Sequence, residues 1–322
     1  ITVTNGDVTT TYNVTITRES LKDIYDLFTE SEYTATNGET IPYELYVPSD
    51  YQEGEQLPIV FALHGSGQRV QPTFMVLKRY QMATAWAKDS EEGTNRCIVL
   101  APQCNTDENG RNWTDLMRTD ITPDAYNPDP KLIAAYELLE KTIDDYNVDT
   151  SRVYMTGLSA GGYATFAMAL AHPETFAAIL PVAGGVDTEA DLSVLGDMGI
   201  WVVQATNDPL VSYEDVYVPT MEALENAGLE VNTTLYENSE VFYPSGHFSW
   251  TPAYADEEIR NWLFSNVKAG GGADTEGVAE LTALDVIDVT TKNIFDENTF
   301  RRATTDYDVT VQSDIYGVLL KV

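Results

Sequence analysis

The sequence predicts an α/β fold in which helices cover both faces of a mostly parallel β-sheet, with β-rich segments at the N- and C-terminal ends. Short apolar runs typical of strands buried on both faces recur along the middle of the chain. Stretches with helical periodicity alternate with these runs, which is typical of a parallel sheet. The 322 residues, 43% of them hydrophobic, suffice for one large domain and something smaller.

The predicted elements follow one another along the chain. Residues 1–18 alternate apolar and polar side chains around an Asn-Gly turn signal and predict a β-hairpin. Residues 32–51 predict an antiparallel hairpin at the edge of the sheet. Asp129 is expected to cap the helix that Pro130 begins. The buried strands are predicted at 58–65, 97–103, 152–157, 176–184 and 200–208, and the helices at 73–88, 130–146, 160–171, 213–227 and 254–267.

Changes in composition divide the chain into four parts. Residues 1–18 form a β segment, and the run "TTYNVTITRES" at 10–20 resembles the closing strand of an immunoglobulin-like or cadherin-like β-sandwich domain. Residues 19–268 form the α/β domain. The stretch "AGGGADTEG" at 269–277 is typical of a flexible linker. Residues 278–322 form a β-rich tail that shows no helical periodicity.

The chain is strongly acidic, with a net charge of −33 from 51 acidic and 18 basic residues. A surface of this charge repels nucleic acid and anionic membranes, so we expect neither as a partner. No apolar run approaches the roughly 18 residues of a membrane span. The acidity is typical of an ordinary secreted protein, and adaptation to high salt is the alternative.

Cysteines and histidines give no sign of a metal site or a disulfide. Cys97 and Cys104 lie at the two ends of a predicted strand whose length of about 23 Å exceeds disulfide reach. We therefore expect two buried thiols. The three histidines are scattered, and neither an H-E-x-x-H pattern nor a cysteine cluster occurs. Neither a metal nor another cofactor is expected.

Ser159 is the candidate nucleophile. The run Gly157-Leu158-Ser159-Ala160-Gly161 matches G-x-S-x-G and lies where a predicted strand ends and a predicted helix begins. A turn this tight requires the residues two before and two after the serine to be nearly free of side chain. The helix N-terminus would favour negative charge beside the serine. The alternative is a strand-to-helix turn with a purely structural role.

A serine nucleophile needs a base, and the chain has three histidines. His172 ends the helix that Ser159 starts, about 20 Å away at about 1.5 Å per residue, which excludes it. His64 precedes the nucleophile, whereas α/β-hydrolases place the acid and then the histidine after it. Only His247, in "SGHFSWTP", satisfies that order.

Asp208 is the predicted acid because it follows a strong late strand on the same sheet edge as Ser159, and Pro209 stiffens the turn after it. Its carboxylate would accept the His247 Nδ1–H, fix the tautomer and stabilise the imidazolium. The acidic residues that remain open as alternatives are Asp187, Asp191, Asp197, Glu214 and Asp215.

The loop "HGSG" is the predicted oxyanion-hole loop. It follows the strand expected to be third in the sheet, where such a loop is found in this fold. The backbone N–H groups of Ser66 and Ala160 are the predicted donors to the tetrahedral oxyanion. His64 is expected to make structural hydrogen bonds rather than to react.

Five motifs occur in order along the chain: "YELYVPSDYQEGEQLPIVFALHGSGQ", "IVLAPQCNTDENGRNW", "RVYMTGLSAGGYATFAMALAHPETFAAILPVAGG", "ATNDPLV" and "GHFSWTPAY". Together they resemble a bacterial esterase family often labelled "predicted peptidase", which is related to feruloyl esterases and polyhydroxybutyrate depolymerases. The resemblance covers about residues 32–267 and implies the α/β-hydrolase fold, the triad Ser159, Asp208 and His247, and the same oxyanion donors.

Four residues are candidates for substrate binding. Trp113, Trp250 and Phe248 lie in loops on the predicted catalytic side, and Gln103 ends a strand there. Aromatic side chains near an acyl site can hold a phenolic acyl group or a sugar ring. The alternative is that both tryptophans pack the loops that carry His247.

These features predict a secreted or cell-surface bacterial serine carboxylester hydrolase. We expect its substrates to be small-molecule or polysaccharide-linked esters, with a feruloyl or acetyl group as the acyl part. A serine peptidase with the same triad is the alternative among enzymes. A non-catalytic binding or adhesion protein on the same fold is the rival class, and five intact motifs argue against it.

Overall fold

The computed structural model describes residues 24–68, 72–78, 80–105, 113–114, 129–237 and 245–268, together with four short strands outside these ranges. The chain forms two compact units. One consists of residues 22–273, and the other combines residues 1–21 with residues 274–322.

The larger unit is built on an eight-stranded sheet, with strands numbered here from its own first strand. The strands are β1 (Phe28–Thr34), β2 (Thr40–Tyr46), β3 (Ile59–Leu63), β4 (Ile98–Pro102), β5 (Val153–Leu158), β6 (Ala178–Val182), β7 (Gly199–Ala205) and β8 (Val231–Tyr236). Their order across the sheet is β1-β2-β4-β3-β5-β6-β7-β8. β1 and β2 form the predicted antiparallel hairpin at one edge, β2 is also antiparallel to β4, and the other pairs are parallel. The predicted α/β-hydrolase fold is confirmed.

Two apolar cores lie on opposite faces of the sheet because successive side chains of a strand alternate between faces. In β3, Ile59, Phe61 and Leu63 belong to one core, and Val60 and Ala62 belong to the other. Both sets are fully buried, which explains why this strand is a continuous apolar run.

Helices cover both faces. They are α1 (Met75–Lys78), α2 (Thr84–Glu91), α3 (Pro130–Asp145), α4 (Ala160–Ala171), α5 (Val218–Asn226), α6 (Trp250–Ala255) and α7 (Glu257–Ser265). Helices α3, α4 and α5 pack in the first core, and α1, α2, α6 and α7 pack in the second. Asp129 caps α3 as predicted, because its side chain accepts from the Lys131 N–H at 3.0 Å.

Three predicted helices differ in detail from the observed ones. The helix predicted at 73–88 is broken between α1 and α2, where Gln81 has a φ of 55° that no right-handed helix contains. The helix predicted at 254–267 is two helices, because the extended backbone of Asp256 ends α6 and its side chain caps α7. The helix predicted at 213–227 begins with a π-helical turn at Tyr213–Tyr217 before α5.

The smaller unit is described only through its strands. Thr2–Asn5 pairs antiparallel with Val8–Thr11, as the hairpin prediction requires, and Val14–Thr17 pairs parallel with Val309–Gln312. The predicted linker at 269–277 and the remaining β-rich phrases of the tail lie outside the described residues. Among the residues that the structure describes, each helix is too short or too polar to cross a bilayer.

Candidate active site

Ser159 occupies a sharp turn between β5 and α4. Its backbone has φ 55° and ψ −119°, a conformation that costs free energy for any residue other than glycine. A Cβ atom on Gly157 would lie 2.2 Å from the Gly161 carbonyl oxygen, and one on Gly161 would lie 2.0 Å from the Leu63 carbonyl oxygen. Both glycines of the predicted motif are therefore required by close backbone contacts.

The structure brings the three predicted triad side chains into one hydrogen-bonded chain. The His247 Nε2 atom lies 3.0 Å from Ser159 Oγ, and His247 Nδ1 lies 2.7 Å from Asp208 Oδ2. An ionised carboxylate only accepts hydrogen bonds, so Nδ1 carries the proton and Nε2 accepts from the serine hydroxyl. The His247 and Asp208 side chains are 8% and 0% exposed, which shields the hydrogen bond between them from water.

The turn after β7 holds the Asp208 carboxylate in place. Its Oδ1 atom accepts from the backbone N–H groups of Leu210 and Val211 at 2.8 and 2.9 Å, which leaves Oδ2 for His247. The Gln204 side chain, buried on β7, donates from Nε2 to the Val211 carbonyl at 2.7 Å. Sequence reasoning missed Gln204, because a polar residue within a strand gives no sign of this contact.

His247 lies in a one-turn 3₁₀ helix, Gly246–Phe248, just before α6. A Cβ on Gly246 would lie 2.3 Å from Asn207 Oδ1 and 2.9 Å from the Asn207 carbonyl oxygen. Only glycine lets the histidine turn approach the acid turn this closely. Sequence reasoning missed Gly246, although a glycine directly before a candidate catalytic histidine was an available signal.

The loop after β3 packs against the nucleophile. A Cβ on Gly65 would lie 3.3 Å from the Ser159 Cβ, so the peptide between Gly65 and Ser66 lies beside the serine. Ala160 is the first residue of α4, where the backbone N–H groups of the first turn have no partner within the helix. Both predicted oxyanion donors therefore belong to segments that meet at Ser159.

The other two histidines lie outside the chain of triad hydrogen bonds. His64 is fully buried, its Nδ1 lies 2.6 Å from the Gly65 carbonyl oxygen, and burial lowers the pKa of its imidazole to about 4. His172 follows the last residue of α4 and stacks on Tyr136 at a ring distance of 3.5 Å. Burial also lowers the pKa of His172 below its usual value.

Two of the four predicted substrate-binding residues brace the loop after β3. Trp113 is fully buried, donates from Nε1 to the His64 carbonyl at 2.8 Å and lies against the His64 ring at 4.9 Å. Gln103 is also buried and donates from Nε2 to the Gln68 carbonyl at 2.8 Å. These contacts are those of packing residues, and a role in binding substrate stays a prediction for both.

The other two predicted substrate-binding residues form an aromatic cluster with Tyr80 beside His247. The Trp250 ring lies edge-on to the His247 ring at 4.8 Å, and the Phe248 ring lies 4.8 Å from that of Trp250. The centroid of the Tyr80 ring lies 5.7 Å from that of Phe248 and 5.1 Å from that of Trp250. Trp250 is buried, whereas Tyr80 and Phe248 are half-buried. Sequence reasoning missed Tyr80, which lies between the helices α1 and α2.

Cys97 and Cys104 are both buried and form no disulfide. Burial raises the pKa of the Cys97 thiol well above its usual range, so this thiol is not a nucleophile at neutral pH. The described part of the chain holds no group of three His, Cys, Asp or Glu side chains that could bind a metal ion.

The chain matches one family model and is similar to three known proteins. A family model described as a putative esterase matches residues 34–262. Poly(3-hydroxyalkanoate) depolymerase C from Paucimonas lemoignei is 30% identical over 169 residues, which are 52% of this chain and 36% of that protein. A probable feruloyl esterase C from Aspergillus oryzae is 25% identical over 179 residues, 53% of this chain and 56% of that protein. The chain thus spans between about a third and just over half of these relatives. The crystal structure of a thermostable esterase is 33% identical with a TM-score of 0.70 and covers 76% of this chain and 64% of that one.

Proposed function

The chain belongs to the family described as putative esterases, as its motifs predict, and we propose that it is a serine carboxylester hydrolase that acts through an acyl-enzyme. The observation that carries this proposal is the chain of hydrogen bonds from Ser159 through His247 to Asp208, at 3.0 and 2.7 Å. A hydrogen-bonded serine–imidazole–carboxylate chain is the arrangement that activates a hydroxyl as nucleophile.

In the acylation step, Ser159 Oγ attacks the ester carbonyl carbon while His247 Nε2 takes the hydroxyl proton. The resulting oxyanion is stabilised by the backbone N–H groups of Ser66 and Ala160, beside the positive end of α4. His247 then gives the proton to the leaving alkoxide, and the C–O bond breaks. Asp208 keeps the proton on Nδ1 and stabilises the imidazolium that forms.

In the deacylation step, water replaces the alcohol beside His247. The imidazole takes a proton from this water, and the hydroxide oxygen attacks the carbonyl carbon of the acyl-enzyme. The same two backbone N–H groups stabilise the second tetrahedral oxyanion. Ser159 leaves as the hydroxyl when His247 returns the proton, and the carboxylic acid departs.

We propose a small or aromatic acyl group, feruloyl or acetyl, carried on a small molecule or a polysaccharide. The similarity to a feruloyl esterase and the aromatic cluster of Tyr80, Phe248 and Trp250 beside His247 support this class. The net charge of −33 disfavours anionic substrates, nucleic acid and anionic membranes. A polysaccharide-linked ester cannot enter a cell, so we also propose that the protein acts outside the cell or at its surface.

The proposal is tested by comparing methyl ferulate, p-nitrophenyl acetate and a peptide anilide as substrates of the full chain. We expect hydrolysis of the esters at rates more than tenfold above the anilide. A fluorophosphonate is expected to label Ser159, and Ser159→Ala should remove both labelling and hydrolysis while the fold persists. An anilide rate within tenfold of the best ester would favour a peptidase instead.

Variants of the histidines provide the matched control. His247→Ala is expected to lower kcat as much as Ser159→Ala does. His172 lies at the far end of α4 from Ser159, so His172→Ala should leave kcat close to the wild-type value. Equal loss of activity in both histidine variants would contradict the assignment of the base.

A further inference from the structure

The peptide between Gly65 and Ser66 lies beside the nucleophile, and the glycine itself does little to fix the orientation of this peptide. A Cβ on Gly65 would lie 2.7 Å from Leu158 Cδ1, 3.2 Å from the Leu158 carbonyl oxygen and 3.3 Å from Ser159 Cβ, so a side chain here would crowd the turn that carries the nucleophile. Glycine, however, populates a wide range of backbone angles, and the peptide after it can rotate at low cost. Another group must therefore hold the Ser66 N–H in one direction.

The His64 ring supplies that restraint. Its Nε2 atom lies 2.9 Å from the backbone nitrogen of Cys104, and a backbone N–H can only donate, so Nε2 is an acceptor. Nδ1 therefore carries the proton and donates to the Gly65 carbonyl at 2.6 Å. Burial lowers the pKa of His64 to about 4, so the ring stays neutral in this tautomer at neutral pH.

Peptide planarity turns this bond into a direction for the Ser66 N–H. The Gly65 carbonyl and the Ser66 N–H belong to one planar trans peptide, in which they point in opposite directions. Fixing the carbonyl therefore fixes the amide. The Gln68 N–H also donates to the Gly65 carbonyl, at 3.2 Å, and Gln103 holds the Gln68 carbonyl at 2.8 Å.

We infer that His64 is a positioning residue for the reaction: its Nδ1–H bond to the Gly65 carbonyl aims the Ser66 N–H at the oxyanion. The inference rests on the proposed function, because it takes Ser66 as an oxyanion donor. His64 transfers no proton in this role, because Nδ1 is bonded to the Gly65 carbonyl and Nε2 to the Cys104 N–H.

Two variants of the full chain separate the two hydrogen bonds of the ring. The side-chain amide of asparagine reaches about as far as the His64 Nδ1, so His64→Asn can still donate to the Gly65 carbonyl. The amide of glutamine reaches about as far as Nε2, so His64→Gln can accept from Cys104 but leaves the Gly65 carbonyl without this donor. His172→Gln is the matched control at a histidine outside the site.

We expect His64→Gln to lower kcat about 10- to 100-fold with little change in KM, because a misdirected donor loses part of the stabilisation that one oxyanion donor gives. His64→Asn and the His172 control should stay close to wild type. The affinity for phenylboronic acid, whose adduct with Ser159 places an oxygen in the oxyanion hole, should fall with kcat only in His64→Gln. Equal losses in both His64 variants, in proportion to lost thermal stability, would mean that His64 only supports the fold.

Crystal structures of the two variants give a readout that does not depend on turnover. The peptide after Gly65 is expected to be rotated in His64→Gln and unchanged in His64→Asn. An unchanged peptide in His64→Gln overturns the inference whatever the protein hydrolyses. A rotated peptide in a protein that hydrolyses no ester supports the positioning role and contradicts only the proposed function.

Discussion

Replacing Gly246 with alanine adds one methyl group where the turn that carries His247 meets the turn that carries Asp208. The added Cβ would lie 2.3 Å from Asn207 Oδ1, 2.9 Å from the Asn207 carbonyl oxygen and 3.0 Å from its carbonyl carbon. The Asn207 side chain can rotate away, but the carbonyl cannot. Ordinary contacts begin near 3.4 Å, so the two backbone segments must separate by about 0.5 Å.

That separation acts on the triad because His247 directly follows the added methyl group. The two hydrogen bonds at risk are those at 2.7 Å to Asp208 and 3.0 Å to Ser159. Catalytic groups must be held within about 0.5 Å of their productive geometry, and a displacement of about 1 Å can cost about 100-fold in rate. We therefore expect Gly246→Ala to lower kcat about 10- to 100-fold.

Steady-state kinetics on a p-nitrophenyl ester, together with thermal unfolding, measure this effect. KM should change little, and overpacking of this kind typically costs about 1 to 3 kcal/mol of stability, which leaves the protein folded. Asn207→Ala is the control, because it removes atoms at the same contact and should keep kcat near wild type. The double variant should recover little activity, since the carbonyl contact persists. A folded Gly246→Ala protein with wild-type kcat would refute the argument.

The remaining predictions concern the acid, the buried imidazole and a buried ion pair. Asp208→Asn is expected to lower kcat by up to about 10⁴-fold in ester assays. In this variant the two backbone N–H groups that bind Oδ1 keep the amide oxygen in that place, so the NH₂ group faces His247 and forces the imidazole proton onto Nε2. An unchanged kcat would mean that another residue is the acid. The free energy of unfolding should fall as the pH falls from about 6.5 to about 4, because the unfolded chain protonates His64 at its ordinary pKa of 6.5 and the folded chain resists this down to a pKa of about 4. The gap between these pKa values corresponds to a loss of about 3 kcal/mol in the free energy of unfolding. His64→Asn should lack this loss. Equal pH slopes in urea titrations of the wild type and His64→Asn would contradict the prediction. Arg260→Ala is expected to cost about 3 kcal/mol in chemical denaturation, because Asp89 stays buried without the guanidinium that binds it at 2.8 and 3.0 Å. A loss below about 1 kcal/mol, which is the range typical of exposed pairs, would show that water replaces that partner.

Features with local causes could be predicted from the sequence. The five buried strands are apolar runs because both faces of the sheet are covered, and the turn at Ser159 leaves a local signal because Gly157 and Gly161 lie within one five-residue segment. The helix breaks at Gln81 and Asp256 could not be predicted, because the apolar periodicity continues across both positions. There the backbone angles depend on packing against the rest of the chain.

The site shows the same division between local and distant causes. Sequence order alone was enough to select His247 as the candidate base, because the order of triad residues follows from the topology of the sheet. Asp208 was selected from several acidic residues by its position after a late strand and before Pro209. The sequence could not show which carboxylate oxygen of Asp208 faces the imidazole, because that depends on two backbone N–H groups in the turn after β7. Gly246 was missed for a related reason. Its constraint is a carbonyl 39 residues earlier in the chain, at Asn207, and a close approach between two backbones leaves no trace in either segment except the glycine itself. A glycine next to a candidate catalytic residue in a loop is therefore evidence for a distant backbone contact. Substitution of this glycine by alanine tests the contact more sharply than removal of the catalytic side chain. The alanine moves the histidine without changing the chemistry of its ring.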